Sequence, residues 1–253
     1  MKTLKESILK SVKAGKYSKY SLFPETKEEL IRIMKSEIIK NGNKCDLNHI
    51  DVRNIKDMSF LFYDNILEHF NGNISKWDVS NVENMEYMFC NSDFNGDISD
   101  WNVSSVTNMQ DMFQESDFNQ DISDWNVSNV IRMGGMFCNS AFNHNISKWK
   151  VSKVIDMHGM FAFSNFNQDI SDWNVSSVTN MRDMFRGNRD RRNKFNQDIS
   201  EWNVSKVIDM DGMFAGSNFD QDISNWKIKP NCRTYDMFKD SPLEKNPPKW
   251  YKK

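Results

Sequence analysis

Only four histidines and four cysteines occur in the 253 residues, and neither set is spaced as a site. His49, His69, His144 and His158 have no metal-ligand spacing, so no metal is expected. The ten glycines form no phosphate-cradling loop and no nucleophile elbow, so neither a cofactor nor an enzyme is expected. No apolar run approaches the roughly 18 residues of a membrane span. Nor is there a basic stripe to meet nucleic acid. Residues 50–249 carry 20 Lys/Arg against 29 Asp/Glu, a net of −9, while residues 1–49 carry 11 against 6, a net of +5. Met1 to Tyr20 holds a lysine every three to five residues, with no apolar signal region and no lipid-anchor cysteine. The expectation from that segment is an intracellular setting, host cytoplasm or virion if viral.

Tryptophan is what is there, at a fixed step. All eight lie at 77, 101, 125, 149, 173, 202, 226 and 250, spaced by 24 residues except for one step of 29. Self-similarity at a period of 20–50 residues marks a repeat architecture and outranks any single motif. Counting from Trp77, Trp101, Trp125, Trp149, Trp173 and Trp202 as position 0, the six coils add Val at +2 and +5, Met at +8 and +11, Phe at +12, Phe near +17 and Ile near +21. Trp77, Trp101, Trp125, Trp149, Trp173, Trp202 and Trp226 are the expected core column. The spacing +5, +8, +11, +12 fits one face of a two-turn helix, with Ser at +3 as its cap. The segment Asp-Ile-Ser-x-Trp has strand character. The expected fold is therefore an α/β repeat, a leucine-rich-repeat-like right-handed solenoid with one short parallel strand and one short helix per coil. Hydrophobic residues make up only 38%, which suits a thin stack where each coil buries one stripe.

Four segments follow. Residues 1–25 read as a basic tail, in which Leu4, Ile8, Leu9 and Val12 could line a short helix. Residues 26–49 read as a cap and connector. Thr26-Lys27-Glu28-Glu29 is a capping box, Leu30, Ile33, Met34 and Ile38 fall on one stripe, and Asn41-Gly42-Asn43 ends the helix. Such a cap shields the apolar edge of the first coil. Residues 50–249 read as eight coils, the first starting at Ile50 and the last degenerate, with Pro247-Pro248 as a stop. Residues 250–253 read as a C-terminal tail. Cys90 and Cys138 share a repeat position two coils apart, about 9–10 Å at the usual interstrand spacing. A disulfide needs Cα atoms within roughly 7 Å, so free thiols and a reducing compartment are expected.

Phe-Asn-Gln-Asp-Ile-Ser-Asp-Trp-Asn-Val-Ser at 118–128 and again at 166–176, each followed by Val-x-x-Met-x-x-Met-Phe, resembles the BspA-like repeat family. The likeness covers about residues 26–249. That family is typical of mycoplasma surface lipoproteins and also occurs in other bacteria and giant viruses. The resemblance implies a leucine-rich-repeat-like solenoid and a role in adhesion or protein binding.

Three rows and one loop are candidate sites. The Asn after the second Phe, from Asn71 to Asn196, reads as a row of Asx turns. Asp97, Asp121, Asp169, Asp198 and Asp222, interrupted by Asn145, read first as turn caps; a calcium row lacks the glycine-rich repeat that would accompany it. Asp100, Asp124, Asp172 and Glu201, broken by Lys148, form a solvated acidic face that could meet a basic partner. The 29-residue step creates the loop 186–193, whose Arg186, Arg189, Arg191 and Arg192 could meet an acidic protein or a phosphate group. The expected function is a non-enzymatic protein-interaction or adhesion-type scaffold with a protein partner. The alternative is a structural component of a virion or surface layer assembling through its tails.

Overall fold

A computed structural model describes residues 19–252. The tail helix expected around Leu4–Val12 lies outside them. The one α-helix among the described residues, α1, spans Lys27–Asn41. Its cap is the one the sequence spells. The Glu29 amide donates to Thr26 Oγ1 at 3.2 Å, and the Glu29 carboxylate reaches back to the Glu25 amide at 3.0 Å. Leu30, Ile33, Met34 and Ile38 are buried on the first coil, and Gly42, at φ 85°, stops the helix. Residues 20–22, expected in the tail, are part of the packed body: Tyr20 is buried, and Leu22 forms a parallel bridge with Ile50.

The 24-residue coils stack in register. Seven of the ten parallel bridges among the described residues run in one column at position +7, from Asp57–Asn84 through Asn108–Arg132 and Asp156–Asn180 to Asp209–Arg233. Around these bridges the amides at +8, +10 and +12, and from the second coil on also at +14, donate to carbonyls at +7, +9, +11 and +13 of the next coil. In one central pair these are Met109 to Arg132 (3.0 Å), Asp111 to Gly134 (2.8 Å), Phe113 to Met136 (3.0 Å) and Glu115 to Cys138 (2.9 Å). The ladder thus falls on the segment expected to be a short helix, and no helix occurs within coils 50–226. The Asp-Ile-Ser-x-Trp segment, expected as the strand, is a tight turn in which the Trp101 amide donates to the Ile98 carbonyl at 3.1 Å.

The physical reason is that a spacing of three is ambiguous. It is close to one helical turn, and it is also the distance between the first and last residues of a β-turn. Here the pairs Ile–Trp, Val–Val and Met–Met close such turns, for example Val106 amide to Val103 carbonyl (3.0 Å) and Met112 amide to Met109 carbonyl (3.3 Å). Both ends of each turn point inward, so the apolar column is the one expected though the backbone differs. Positions +10 and +14 adopt positive φ in most coils, which no α-helix could contain. The Ser at +3 therefore caps no helix; its amide donates in an Asx turn instead, as from Ser104 to Asn102 Oδ1 at 3.1 Å.

The core is a set of aromatic columns. Phe at +12 stacks on Phe at +17 of the same coil and on its own equivalents, as in Phe137–Phe142 (4.2 Å) and Phe113–Phe137 (5.7 Å). Every indole also donates backward: Trp125 Nε1 reaches the Ile98 carbonyl at 3.1 Å and Trp149 Nε1 the Ile122 carbonyl at 3.1 Å. That carbonyl already accepts the amide of its own turn, so each indole pins the preceding coil's corner. The column continues past the expected boundary at 249. Trp250 stacks on Trp226 at 6.3 Å and donates to the Ile223 carbonyl at 2.9 Å.

Candidate functional site

Most of the repeated polar residues hold the scaffold together. The Asn row is not a set of Asx turns but an inter-coil ladder. Each side-chain oxygen accepts the backbone amide of its equivalent one coil on, as in Asn143 amide to Asn119 Oδ1 and Asn167 amide to Asn143 Oδ1, both at 3.0 Å. The Asp row does make Asx turns: the Ser99, Ser123 and Ser171 amides donate to Asp97, Asp121 and Asp169, and Asn145 makes the same bond to Ser147. These backbone amides, with the Ser hydroxyls, hold the carboxyls of Asp97, Asp121 and Asp169 below their usual range. A buried Ser column at +15, including Ser92, Ser116, Ser140 and Ser217, accepts the amide of the Phe two residues on. Asn193 takes that place after the inserted loop.

The acidic face and the basic loop are less free than the sequence suggests. Lys76 lies 3.4 Å from Asp100, and Lys148 lies 3.6 Å from Asp124, exposed pairs of little energetic weight. Asp172 and Glu201 have no ion-pair partner among the described residues, and Glu201 lines an open groove of about 540 Å³ with Asn203, Asn225 and Lys227. In the loop, Arg186 pairs with Asp183 (2.8 Å) and Arg189 with Asp240 (3.3 Å). Arg192 donates to the Ser217 and Asp240 carbonyls, and the Arg191 amide closes a turn on Asn188. The loop leaves and returns where Gly187 and Gly216 press backbone against backbone. Of the four arginines, Arg191 alone extends from the loop without a polar partner for its guanidinium among the described residues. The structure does not bring the acidic row and the loop together in one pocket.

A different row stands out once the ladder is known. Position +9 lies between the inward Met at +8 and the αL residue at +10, on the outer side of the ladder. Its occupants are Ser59, Glu86, Gln110, Gly134, His158, Arg182, Asp211 and Tyr235, eight residue types in eight coils. Position +13 beside it holds Tyr63, Cys90, Gln114, Cys138, Ala162, Arg186, Ala215 and Lys239. The signal was present in the chain as variation within its own repeat. Its meaning depended on knowing that these positions belong to a ladder and not to a helix; Arg182, Tyr235 and Tyr63 are exposed there, while Ser59, Cys90 and Asp211 are covered.

The middle of this face is electrostatically tuned. His158 Nδ1 lies 3.0 Å from Asp156 Oδ1, and the ring lies over Gly134. The bond to Asp156 raises the imidazole above its usual value against the opposing effect of burial, with Asp111 and Asp183 adding. Burial opposes ionisation of Asp156, but the His158 side-chain and amide bonds outweigh it and hold the carboxyl below its ordinary range. Burial, then the charges of Asp111 and Glu115, pushes the Cys90 and Cys138 thiols up to about 11. All four cysteines are free. Among the described residues no group of three His, Cys, Asp or Glu converges to hold a metal, and no helix is long and apolar enough to cross a membrane.

No curated protein and no solved structure matches the chain. The coil-by-coil repetition does have a counterpart in a family model that matches twice in tandem, at residues 33–142 and 138–250, and so takes in most of the stack. On that match the chain belongs to the family described as Mycoplasma protein of unknown function, DUF285.

Proposed function

We propose that the chain is a non-enzymatic protein-interaction module, a solenoid scaffold of the BspA-like kind that presents the outer face of its ladder to a protein partner. The observation that carries this reading is the contrast between rows. Positions that hold the stack together repeat nearly unchanged, whereas +9 and +13 differ in almost every coil. A row whose residue type changes from coil to coil while the stack is kept can be varied for recognition. Glu86, His158 and Arg182 give that face mixed charge, which favours selective contact over general adhesion. The inserted loop adjoins it: Arg186 and Lys239 of row +13 line a groove of about 360 Å³ with Asn188, Arg189 and Asp240.

The test is affinity capture with mass spectrometry, using three forms of the full chain. One is unaltered, one carries Glu86→Ala, His158→Ala and Arg182→Ala, and one carries Asp100→Asn and Asp172→Asn. The expected result is a protein partner retained by the acidic-row variant and lost by the ladder-face variant. The reverse pattern would move the site to the acidic row, and a partner indifferent to both variants would sink the reading.

A further inference from the structure

The first two coils break the residue preference at +10. Six coils place Asp or Gly there, residue types that tolerate positive φ, but the first two place Phe60 at φ 55° and Tyr87 at φ 53°. A bulky aromatic in the left-handed region is unfavourable, and neither ring is in the core: Phe60 is 44% exposed. Tyr63, in the adjoining row +13, is 56% exposed. An unfavourable backbone holding apolar rings toward solvent is the kind of outlier from which function can be argued. Phe60 lies flat on Tyr87, with centroids 4.7 Å apart and planes at 10°. Tyr63 stands against Phe60 at 6.0 Å and 77°. The three rings form a two-walled corner at one end of an open groove of about 450 Å³, lined further by Cys90, Asn91, Gln114 and Glu115.

The charge around this corner is one-sided. The nearby lysines are committed elsewhere, Lys27 to Asp57, Lys35 to Asp64 and Lys56 to Glu83. Glu115, the charged residue in the groove lining, has no ion-pair partner among the described residues. Asp111 accepts from Gln110 and is 6% exposed, outside the groove lining, which leaves Glu115 as the carboxylate of this corner. Rings facing a carboxylate across a groove suit a flat cation on an apolar stem, because the stem and the guanidinium face pack on the rings while its N–H groups reach the carboxylate.

We infer that the corner formed by Phe60, Tyr63 and Tyr87, with Glu115, takes an arginine side chain from an extended basic segment of a protein partner. The inference rests on the protein-interaction reading and names the chemistry of one end of that face. A neutral sugar would also stack on exposed rings, but it would leave the Glu115 carboxylate without a role.

The experiment uses the full chain and acetyl-Gly-Arg-Gly-Arg-Gly-amide, followed by ring-proton NMR. Saturable shifts of the Phe60 and Tyr63 rings are expected. Replacing arginine by citrulline, which keeps the shape and removes the charge, should weaken binding about fivefold or more. Tyr63→Ala and Glu115→Gln should each weaken it about two- to fivefold, with the near-ultraviolet dichroism of the buried indoles unchanged. Equal affinity for the citrulline peptide, indifference to Tyr63→Ala, or shifts of the same rings by cellotetraose but not by the arginine peptide would each overturn it. A captured partner that depends on His158 and Arg182, while the arginine peptide leaves the corner untouched, would defeat this inference and leave the wider reading standing.

Discussion

Replacing Trp125 separates two contributions that the indole makes to one coil. The ring is 4% exposed and packs at 6.4 Å on Phe113, while Nε1 donates to the Ile98 carbonyl at 3.1 Å. Trp125→Ala removes both and leaves a large void, so about 3–5 kcal/mol should be lost. Trp125→Phe keeps most of the ring packing. The Ile98 carbonyl also keeps the Trp101 amide at 3.1 Å, so it is not orphaned and the full desolvation penalty does not apply. The lost bond then costs about 0.5–1.5 kcal/mol, and with the smaller void the total should be about 2 kcal/mol. Trp250→Ala should cost less than about half as much as Trp125→Ala, because Trp250 is only half-buried where Trp125 is almost fully covered. The assay is urea unfolding followed by dichroism and by the fluorescence of the remaining indoles. Where unfolding has more than one step, the loss is taken on the step containing the coils from 101 and 125. Equal losses for Trp125→Ala and Trp250→Ala would refute the placement of one mid-stack and the other at its end. A Trp125→Phe variant as damaged as Trp125→Ala would refute the division between ring packing and the indole bond.

Other perturbations test other parts of the scaffold. Gly216→Ala should cost well over 1 kcal/mol and expose the 186–193 loop to limited proteolysis, because a Cβ there would meet Gly187 backbone atoms at 2.6 Å. Gly159→Ala, also at positive φ but with nothing within 4 Å, should cost only about 1 kcal/mol in the same melt. Asn143→Ala removes the acceptor of the Asn167 amide, so that amide should exchange with deuterium faster and about 1 kcal/mol should be lost; Asn143→Asp keeps the acceptor and should lose less. The Asx-turn carboxyls of Asp97, Asp121 and Asp169 lie below their ordinary value in the folded chain, so their contribution is present above about pH 4 and fades as the pH falls through the folded values. The melting temperature should drop in that acid range. Asp121→Asn, which copies the bond Asn145 already makes, should flatten the drop, and an unchanged profile would contradict the assignment.

The period, the inward column and the capping helix were all legible, because each rests on local spacing or on a cap closed within four residues. Which backbone carries the column was not. Val106, Met109, Met112 and Phe113 sit at steps of three, three and one, and those steps fit a short helix as well as a succession of turns. Position +10 held a clue in its Asp and Gly residues, which tolerate positive φ, but Phe60 and Tyr87 obscured it. The candidate rows were chosen for charge, which by itself does not say what each charged group meets in the fold. Asp100 and Asp124 face lysines, and Arg192 turns toward backbone carbonyls.

The amino-acid order by itself determined that eight windings of nearly equal length must pile on one another, because one winding has too little apolar surface to stand alone and its Trp, Met and Phe recur at fixed places. It also determined where the pile begins, since Thr26 and Glu29 close their own bonds. Only the tertiary structure decided the direction of each polar group. The Asn143 oxygen meets an amide 24 residues on, and the Trp125 indole meets a carbonyl 27 residues back. Such partners become neighbours only after the coils have stacked, and the same stacking decides which residues of the variable rows stay exposed, Arg182 and Tyr235 among them.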